Sequence, residues 1–259
     1  MEKLTLPRLD ADAGLTFLWN YLVGHPHPRA ALDAHASAFL ARCLADFSRS
    51  RAQLFQDLYV AHRLRDKRSG WFVEFGAMDG ITLSNTYYLE TALGWNGIVA
   101  EPMPMWHAAL AQNRRARIDR RCVWWESGKT LDFVASNKYP ELSSIAEFAQ
   151  DDYQAAQRAV DATTISVDTV SLNDLLAEHG APRDIDYLSI DTEGSELDIL
   201  AAFDFERFRV SVITVEHNFR EDVRASLHQL LGAHGFVREL ELFSRFDDWY
   251  VHPARVAQA

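Results

Sequence analysis

Two acids and two glycines lie where apolar segments of the sequence end. Residues 71–73 are Trp, Phe and Val, and they run directly into Glu74, Gly76 and Gly80. The next apolar segment ends at Glu101. Open parallel sheets bind small molecules beyond the carboxyl ends of their strands, and an acid after the second strand suits the hydroxyls of a ribose. The pairing of Glu74 with Glu101 therefore predicts a nucleoside cofactor.

The residue at position 78 bears on which nucleoside binds. A dinucleotide fingerprint has a second glycine two residues after the first, where the backbone approaches a pyrophosphate, but here that position is Met78. S-adenosylmethionine has no phosphate. Glu74 could balance its ammonium and sulfonium, directly or through water, while Glu101 accepts hydrogen bonds from its ribose. An ordinary strand, turn and helix, in which the glycines only form the turn, is the alternative.

Further acids and a histidine follow two apolar segments in the second half of the chain. Asp191 and Glu193 come after one segment, and Glu216 and His217 come after the next. If both segments are strands parallel to the first, these side chains meet at the same rim of the sheet as the first two acids. A divalent cation, a substrate ammonium or a bound proton would offset such crowded carboxylates. Helix capping is the alternative for Asp191, but it leaves Glu216 and His217 unexplained.

The spacing of apolar residues predicts the elements that position these groups. From Gly70 onward, strand and helix patterns alternate, which predicts an α/β fold with a mostly parallel sheet covered on both faces. The predicted strands are 71–75, 97–101, 121–125, 130–135, 163–168, 187–190, 211–216, 236–242 and 248–251. The predicted helices are 82–93, 104–113, 144–159, 171–179, 195–202 and 221–234. The loop at 136–144 is a candidate substrate lid.

The start of the chain has a different pattern. Apolar residues recur at helical spacing from Leu32 to Phe47. We therefore predict two units, a helical N-terminal extension over residues 1–68 and a cofactor-binding domain over residues 69–259. The extension is expected to cap the sheet, with a lid or a dimer surface as alternatives.

Composition and charge limit the class of protein. The chain has 259 residues, is 48% hydrophobic and 24% charged, and carries a net charge of −11, which is ordinary for a globular protein apart from its acidity. An acidic chain repels nucleic acid, and the arginines clustered between 114 and 121 are interpreted as a solvated helix end. Cys43 and Cys122 lie in apolar segments and indicate a reducing compartment. No leader or membrane-spanning pattern occurs, so a cytoplasmic protein is expected.

Several motifs recur together over residues 50–252. They are Gln53 with Gln56-Asp57, Phe72-Val73-Glu74-Phe75-Gly76-Ala77 with Asp79-Gly80, Ser84-Asn85-Thr86, Gly94-Trp95-Asn96-Gly97, Glu101-Pro102, Asn113-Arg114, Ser143-Ser144, and the segments 171–176, 185–196, 214–218 and 247–250. In their order and spacing they resemble the FkbM-like family of S-adenosylmethionine-dependent methyltransferases. Residues 1–49 fall outside this resemblance.

The resemblance implies a Rossmann-like class I methyltransferase sheet of seven strands, the last of them antiparallel. It also implies an enzyme that O-methylates a hydroxyl of a sugar, polysaccharide or natural product. The cofactor contacts that it implies, together with Asp191 at the neighbouring strand end, are Glu74, Gly76, Ala77, Asp79, Ser84, Asn85, Glu101 and Asp191.

An alcohol loses a proton when it is methylated, which calls for a base. His217 is the first candidate because imidazole titrates in the useful range, with Glu216 and Asp191 beside it. Adjacent strand residues point to opposite faces, so Glu216 and His217 face one site only beyond the last regular strand residue. The alternative is a divalent cation, Mg²⁺ or Mn²⁺, held by Asp191, Glu216 and His217.

Two other functions stay open at this point. One is a catalytically inactive nucleoside-binding or scaffold protein on the same fold, and the other is an NAD-linked oxidoreductase. Retention of both cofactor acids disfavours the first, and Met78 disfavours the second. The expected partner is a small-molecule or glycan acceptor, with no nucleic acid and no membrane span, and a homo-oligomer is left open.

Overall fold

A computed structural model gives the fold of residues 33–150 and 153–256, the part of the chain that the structure describes. Its eleven strands are β1 (Trp71–Phe75), β2 (Asn96–Ala100), β3 (Arg117–Asp119), β4 (Cys122–Trp124), β5 (Thr130–Ser136), β6 (Ser144–Ile145), β7 (Ala162–Ser171), β8 (Asp184–Ile190), β9 (Arg209–Glu216), β10 (Val237–Glu239) and β11 (Asp247–Val251). Its nine α-helices are α1 (Ala34–Asp46), α2 (Gln56–Arg63), α3 (Tyr87–Leu93), α4 (His107–Asn113), α5 (Ala155–Arg158), α6 (Leu172–Glu178), α7 (Glu196–Ala201), α8 (Glu221–Ala233) and α9 (Glu241–Ser244).

The main sheet has seven strands in the order β10-β11-β9-β8-β1-β2-β3. Neighbouring strands are parallel except at β11, which is antiparallel to both β9 and β10. The predicted seven-stranded, mostly parallel sheet with an antiparallel last strand is confirmed. Its central strands are buried along nearly their whole length because helices cover both faces, which explains their continuous apolar sequences.

A smaller sheet lies beside the first, in the order β4-β7-β5-β6. Strands β5 and β7 pair antiparallel, and the chain between them forms a segment that we call the strap, residues 137–150 and 153–161. The predicted helix at 144–159 is wrong: β6 pairs with β5 through Ser144 and Ile145, turns follow, and only α5 is helical. Pairing with Phe133 and Val134 of β5 outweighs the local helical pattern, because tertiary contacts override propensity.

The first two described helices pack on one face of the main sheet. Asp33 caps α1, since its Oδ1 accepts a hydrogen bond from the Ala36 N–H at 2.7 Å. Phe39 of α1 and Tyr59 of α2 both lie against Trp249 of β11, with ring centroids 5.6 and 4.6 Å away. Each such aromatic contact contributes about 0.5–1.5 kcal/mol beyond area burial. Residues 1–32 of the predicted extension lie outside the described residues, and the division into two units stays a prediction.

The structure differs from the predicted elements in two further places. The strand predicted at 236–242 ends at Glu239, because Leu240 adopts a left-handed φ of 53° and starts α9. Edge strand β3 was not predicted. No helix in the described ranges is long and apolar enough to cross a membrane.

Candidate active site

A cavity of about 240 Å³ opens at the carboxyl ends of β1, β2, β8 and β9, beneath the strap. Strap residues form part of its wall, and the candidate lid at 136–144 stays a prediction. The residues that line it include Gln53, Glu74, Gly76, Met78, Asn85, Glu101, Arg121, Tyr153, Gln154, Asp191, Glu193, Glu216 and Phe246.

Gly76 lets the turn after β1 touch the end of β8. Its φ is +68°, and a Cβ atom at this position would lie 2.6 Å from the backbone oxygen of Asp191. Only glycine combines that dihedral angle with so close an approach. The glycine therefore does more than make a turn, because it brings the cavity residues of two strands together.

Glu101 lies at the end of β2, buried except toward the cavity. Its Oε2 accepts a hydrogen bond from the Met78 N–H at 2.8 Å, and its Oε1 accepts one from the Met103 N–H at 2.8 Å. Burial raises the pKa of this carboxyl to about 7, although both N–H groups lower it. Each carboxylate oxygen keeps a lone pair for a further donor, which is the capacity that two ribose hydroxyls need.

Glu74 is occupied by protein groups. Its oxygens accept hydrogen bonds from the Asn85 N–H at 2.6 Å and from the hydroxyls of Ser84 and Thr86, and the Arg114 guanidinium lies 3.2 Å away. These contacts hold residues 84–86 against the end of β1. Direct balancing of a cofactor cation by Glu74 stays a prediction, and the geometry favours an indirect role through Asn85.

Asn85 lines the cavity and is only 8% exposed. Its Nδ2 donates to Ser189 Oγ at 2.9 Å, whereas its Oδ1 is buried with no hydrogen-bond partner among the described residues. A buried amide oxygen without a partner costs free energy unless a ligand supplies a donor. Asn85 Oδ1 can therefore accept a hydrogen bond from a donor group in the cavity, and its contact with a cofactor stays a prediction.

Three predicted cofactor residues lie just behind the cavity wall formed by the described residues. Asp79 accepts hydrogen bonds from the N–H groups of Ile81 and Thr82 at 2.8 and 2.7 Å, and so closes its own turn. Ser84 donates to Glu74, and Ala77 is buried. Asp79 and Ser84 therefore shape the backbone around the cavity, and direct contact of all three residues with a cofactor stays a prediction.

Arg114 corrects the interpretation of the arginine cluster as a solvated helix end. Its guanidinium is fully buried and donates to Glu90 at 2.7 Å, to the Thr86 hydroxyl at 2.7 Å and to Glu74 at 3.2 Å. It thereby balances two buried carboxylates beneath the cavity. Charge and periodicity missed it because five closely spaced arginines give no local sign of which one turns inward, and only the Asn113-Arg114 motif marked it. Arg121, half-buried at the cavity, is paired with Asp119 and Glu178.

Asp191, Glu193 and Glu216 converge as predicted, with carboxylate oxygens within 4.8 Å of one another. Burial and the nearby Glu196 raise the pKa of Asp191 to about 7. Burial, together with Asp191, raises the pKa of Glu216 well above its usual range. Two buried carboxyls this close together favour sharing one proton over carrying two negative charges. Glu193 is balanced separately, because Arg158 of the strap donates to it at 2.8 Å.

His217 does not join this group of acids. Its Nδ1 accepts a hydrogen bond from the Phe219 N–H at 3.1 Å, so its Nε2 carries the proton and donates to the Asp247 backbone oxygen at 3.2 Å. Burial lowers the pKa of its imidazole. Strand alternation explains the result, since Glu216 faces the cavity and the next side chain points away. The geometry does not support His217 as the base or as a metal ligand.

Comparison with known proteins decides the family. Residues 74–245 match the family model described as the methyltransferase FkbM domain. The chain belongs to the FkbM methyltransferase family. The resemblance inferred from the motifs is thereby confirmed, and the cavity described above belongs to a methyltransferase domain.

Solved structures with a similar fold include two other methyltransferases. One is an O-methyltransferase from Bacillus cereus in complex with SAH, 12% identical, with a TM-score of 0.42 over 92% of this chain and 95% of that chain. Another is the precorrin-6y C5,15-methyltransferase from Geobacter metallireducens GS-15, 11% identical, with a TM-score of 0.41 over 75% of this chain and 85% of that chain. No protein of curated function matches the FkbM methyltransferase chain.

Proposed function

We propose that this FkbM methyltransferase uses S-adenosylmethionine to methylate a hydroxyl of a sugar, polysaccharide or natural-product acceptor. The observation that carries the proposal is the pairing, in one cavity, of Glu101 with the partnerless Asn85 Oδ1. The first offers lone pairs to a diol and the second offers an oxygen to an ammonium. These groups fit a nucleoside that also carries an amino acid.

The bound cofactor would supply a methyl group on a sulfonium, which is already activated for displacement. The protein's contribution is then alignment, and holding the reactants in a near-attack geometry is worth roughly 7–11 kcal/mol. Residues of the strap form part of the wall that would hold the reactants in place. Alignment of the methyl donor and the acceptor by the cavity walls is thus the first contribution of the protein to the reaction rate.

The acid pair Asp191 and Glu216 is our candidate for the base. In the methyl transfer, whose leaving group would be the thioether of the cofactor, this pair would take the proton that the acceptor hydroxyl loses. A carboxyl with a pKa of about 7, like that of Asp191, can receive a proton at neutral pH. A positioned base contributes a factor of roughly 10²–10⁴ in rate.

A divalent cation is the second candidate device. Asp191, Glu193 and Glu216 offer oxygen ligands close enough together for Mg²⁺ or Mn²⁺, and such a cation would lower the pKa of the acceptor hydroxyl. The metal-free pair is favoured because Arg158 already neutralises Glu193 and a shared proton offsets the other two acids.

A catalytically inactive nucleoside-binding or scaffold protein and an NAD-linked oxidoreductase are both disfavoured. A catalytically inactive protein would have no use for the converging carboxylates of Asp191, Glu193 and Glu216. An NAD-linked enzyme is disfavoured because the side chain of Met78 stands where a pyrophosphate would approach the backbone. The net charge of −11 still argues against a nucleic-acid acceptor.

An isotope experiment tests the proposal. The protein is incubated with S-adenosylmethionine carrying a ¹³C-methyl group and with pools of glycosides, oligosaccharides and hydroxylated natural products. We expect a new NMR signal in the O-methyl region, linked by a long-range coupling to an acceptor carbon. A methyl signal on nitrogen or carbon would contradict O-methylation, and transfer to none of the pools would contradict the proposed acceptor classes.

A further inference from the structure

Three aromatic side chains meet at the entrance of the cavity. Tyr153 of the strap is 64% exposed and Phe219, in the loop after β9, is 48% exposed, with 5.8 Å between their ring centroids. Phe246 lies 6.4 Å from Phe219, and both Tyr153 and Phe246 line the cavity. We call these three residues the aromatic mouth. Large exposed aromatic side chains beside a cavity indicate a surface that a ligand covers.

The loop that presents Phe219 is held in a strained conformation. Asn218 and Phe219 have φ angles of 50° and 57°, a region that residues with side chains avoid. Three hydrogen bonds maintain it. The Phe246 backbone oxygen accepts from the N–H groups of His217 and Asn218 at 2.8 and 3.2 Å, and His217 Nδ1 accepts from the Phe219 N–H at 3.1 Å. Strain that persists beside a site is a sign of function.

Polar side chains line the cavity next to the aromatic mouth. Gln53 and Gln154 bring amides, and Glu193 brings a carboxylate. Aromatic faces that alternate with amide and carboxylate groups suit a ring with C–H groups on one face and hydroxyls at its edge. A lipid chain would leave the Gln53 amide without a partner, and an anionic ligand would meet the carboxylates of Asp191, Glu193 and Glu216.

We propose that the aromatic mouth is the acceptor subsite and that it binds a neutral hydroxylated ring with an apolar face. His217 is the residue that positions the aromatic mouth. The inference rests on the proposed function, because it places an acceptor beside the methyl donor. It gives the buried histidine a role other than proton transfer. The two ring nitrogens of His217 bond the backbone beside two of the aromatic residues: Nδ1 accepts from the Phe219 N–H, and Nε2 donates to the backbone oxygen of Asp247, the residue after Phe246.

Saturation-transfer NMR on the full chain saturated with S-adenosylhomocysteine tests the subsite. The probes are methyl β-D-galactopyranoside, trans-1,2-cyclohexanediol and the open-chain polyol galactitol. We expect transfer to the ring C–H protons of at least one cyclic probe and severalfold less to galactitol. The stronger cyclic probe distinguishes a saccharide from another hydroxylated ring as the source of this chemistry.

The variants Phe219→Ala and Tyr153→Ala should reduce the ring signal severalfold without changing the dissociation constant for S-adenosylhomocysteine. Val237→Ala, which removes a similarly exposed side chain next to the end of β11 opposite Phe246, should leave it unchanged. His217→Ala should reduce the signal as Phe219→Ala does, and His217→Asn should restore part of it because an amide oxygen can accept the Phe219 N–H. A merely structural histidine would instead alter the melting temperature and the affinity for S-adenosylhomocysteine together.

Two results would overturn the subsite. They are the absence of ring transfer from both cyclic probes, and equal transfer in wild type and Phe219→Ala. Failure of the proposed function shows up separately, as failure of S-adenosylhomocysteine to bind before any probe is added.

Discussion

Gly76 and Asp191 bring the ends of β1 and β8 into backbone contact, with only 2.6 Å between the Asp191 oxygen and the place that a Cβ on residue 76 would occupy. The contact joins the half of the cavity that holds Glu101 and Asn85 to the half that holds the acid pair. A site for the methyl donor and a catalytic base can therefore lie in one cavity only if these two strand ends approach each other closely.

Gly76→Ala tests this contact. Alanine would carry the left-handed penalty of roughly 1–2 kcal/mol and would also collide with Asp191, so the strand ends must separate. We expect affinity for S-adenosylhomocysteine to fall at least tenfold, about 1.4 kcal/mol. The control is Gly128→Ala, because Gly128 has a φ of +78° with nothing within 4 Å of an added Cβ. Equal loss of affinity in both variants would mean that the contact is unimportant.

Arg114→Met should destabilise the fold. It would leave Glu74 and Glu90 buried without their cation, and breaking a buried pair in this way costs about 3–5 kcal/mol. Arg115→Met removes an exposed arginine next to it and should change stability by less than about 0.5 kcal/mol. Urea denaturation measures both. Similar midpoints for the two variants would show that the buried pairs are energetically unimportant.

Asp247→Asn should reduce the pH dependence of stability. Burial, and then the charge of Asp191, raise the pKa of Asp247 from 3.8 to about 8 in the folded state, while Gln56 Nε2 donates to it at 2.7 Å. The folded state therefore binds a proton that the unfolded chain releases near pH 4, and this stabilisation is lost as pH rises toward 8.

The asparagine variant keeps an acceptor for Gln56 and never ionises. We expect it to exceed wild type in free energy of unfolding at pH 9 by more than about 1 kcal/mol, and to differ little at pH 4. The exposed Asp132→Asn is the matched control. A difference between Asp247→Asn and wild type that is constant with pH would show that Asp247 does not titrate as described.

Substitution of the acid pair separates the two catalytic devices. If Asp191 and Glu216 act as the base, Asp191→Asn and Glu216→Gln should each lower kcat by roughly 10²–10⁴, and a chelator should have no effect. His217→Asn should keep kcat close to wild type at saturating acceptor. If a chelator abolishes activity and Mg²⁺ or Mn²⁺ restores it, a divalent cation and not the acid pair activates the acceptor hydroxyl. A decrease in kcat for His217→Asn as large as that for the acid variants would show that His217 is the base.

Much of the sheet and the rim of the cavity could be predicted, for identifiable reasons. Buried parallel strands have continuous apolar sequences, and the residues just beyond them face the ligand edge, so Glu101, Asp191 and Glu216 were found from position alone. The direction of side chains at those ends was harder. Glu216 and His217 are neighbours in sequence, and only the structure shows which one faces the cavity.

The features that sequence could not reveal depend on distant contacts. Arg114 turns inward because Glu74 and Glu90 lie on other elements, and β6 forms because β5 is beside it. Arg158, buried in the strap, binds Glu193 and the backbone oxygen of Ala149, and no local pattern marks it. Periodicity describes one element at a time, so it missed each of these contacts.

The most direct test of the central claim, that this cavity binds the nucleoside of S-adenosylmethionine, is calorimetric titration of wild type and Glu101→Ala with S-adenosylhomocysteine and with NAD. The account predicts binding of one S-adenosylhomocysteine per chain, no binding of NAD, and a roughly 10- to 100-fold weaker affinity in Glu101→Ala, because two charge-assisted hydrogen bonds are lost. An unchanged affinity in Glu101→Ala would show that this acid does not hold the ribose. Absence of S-adenosylhomocysteine binding to wild type, or equal binding of NAD, would contradict the account as a whole.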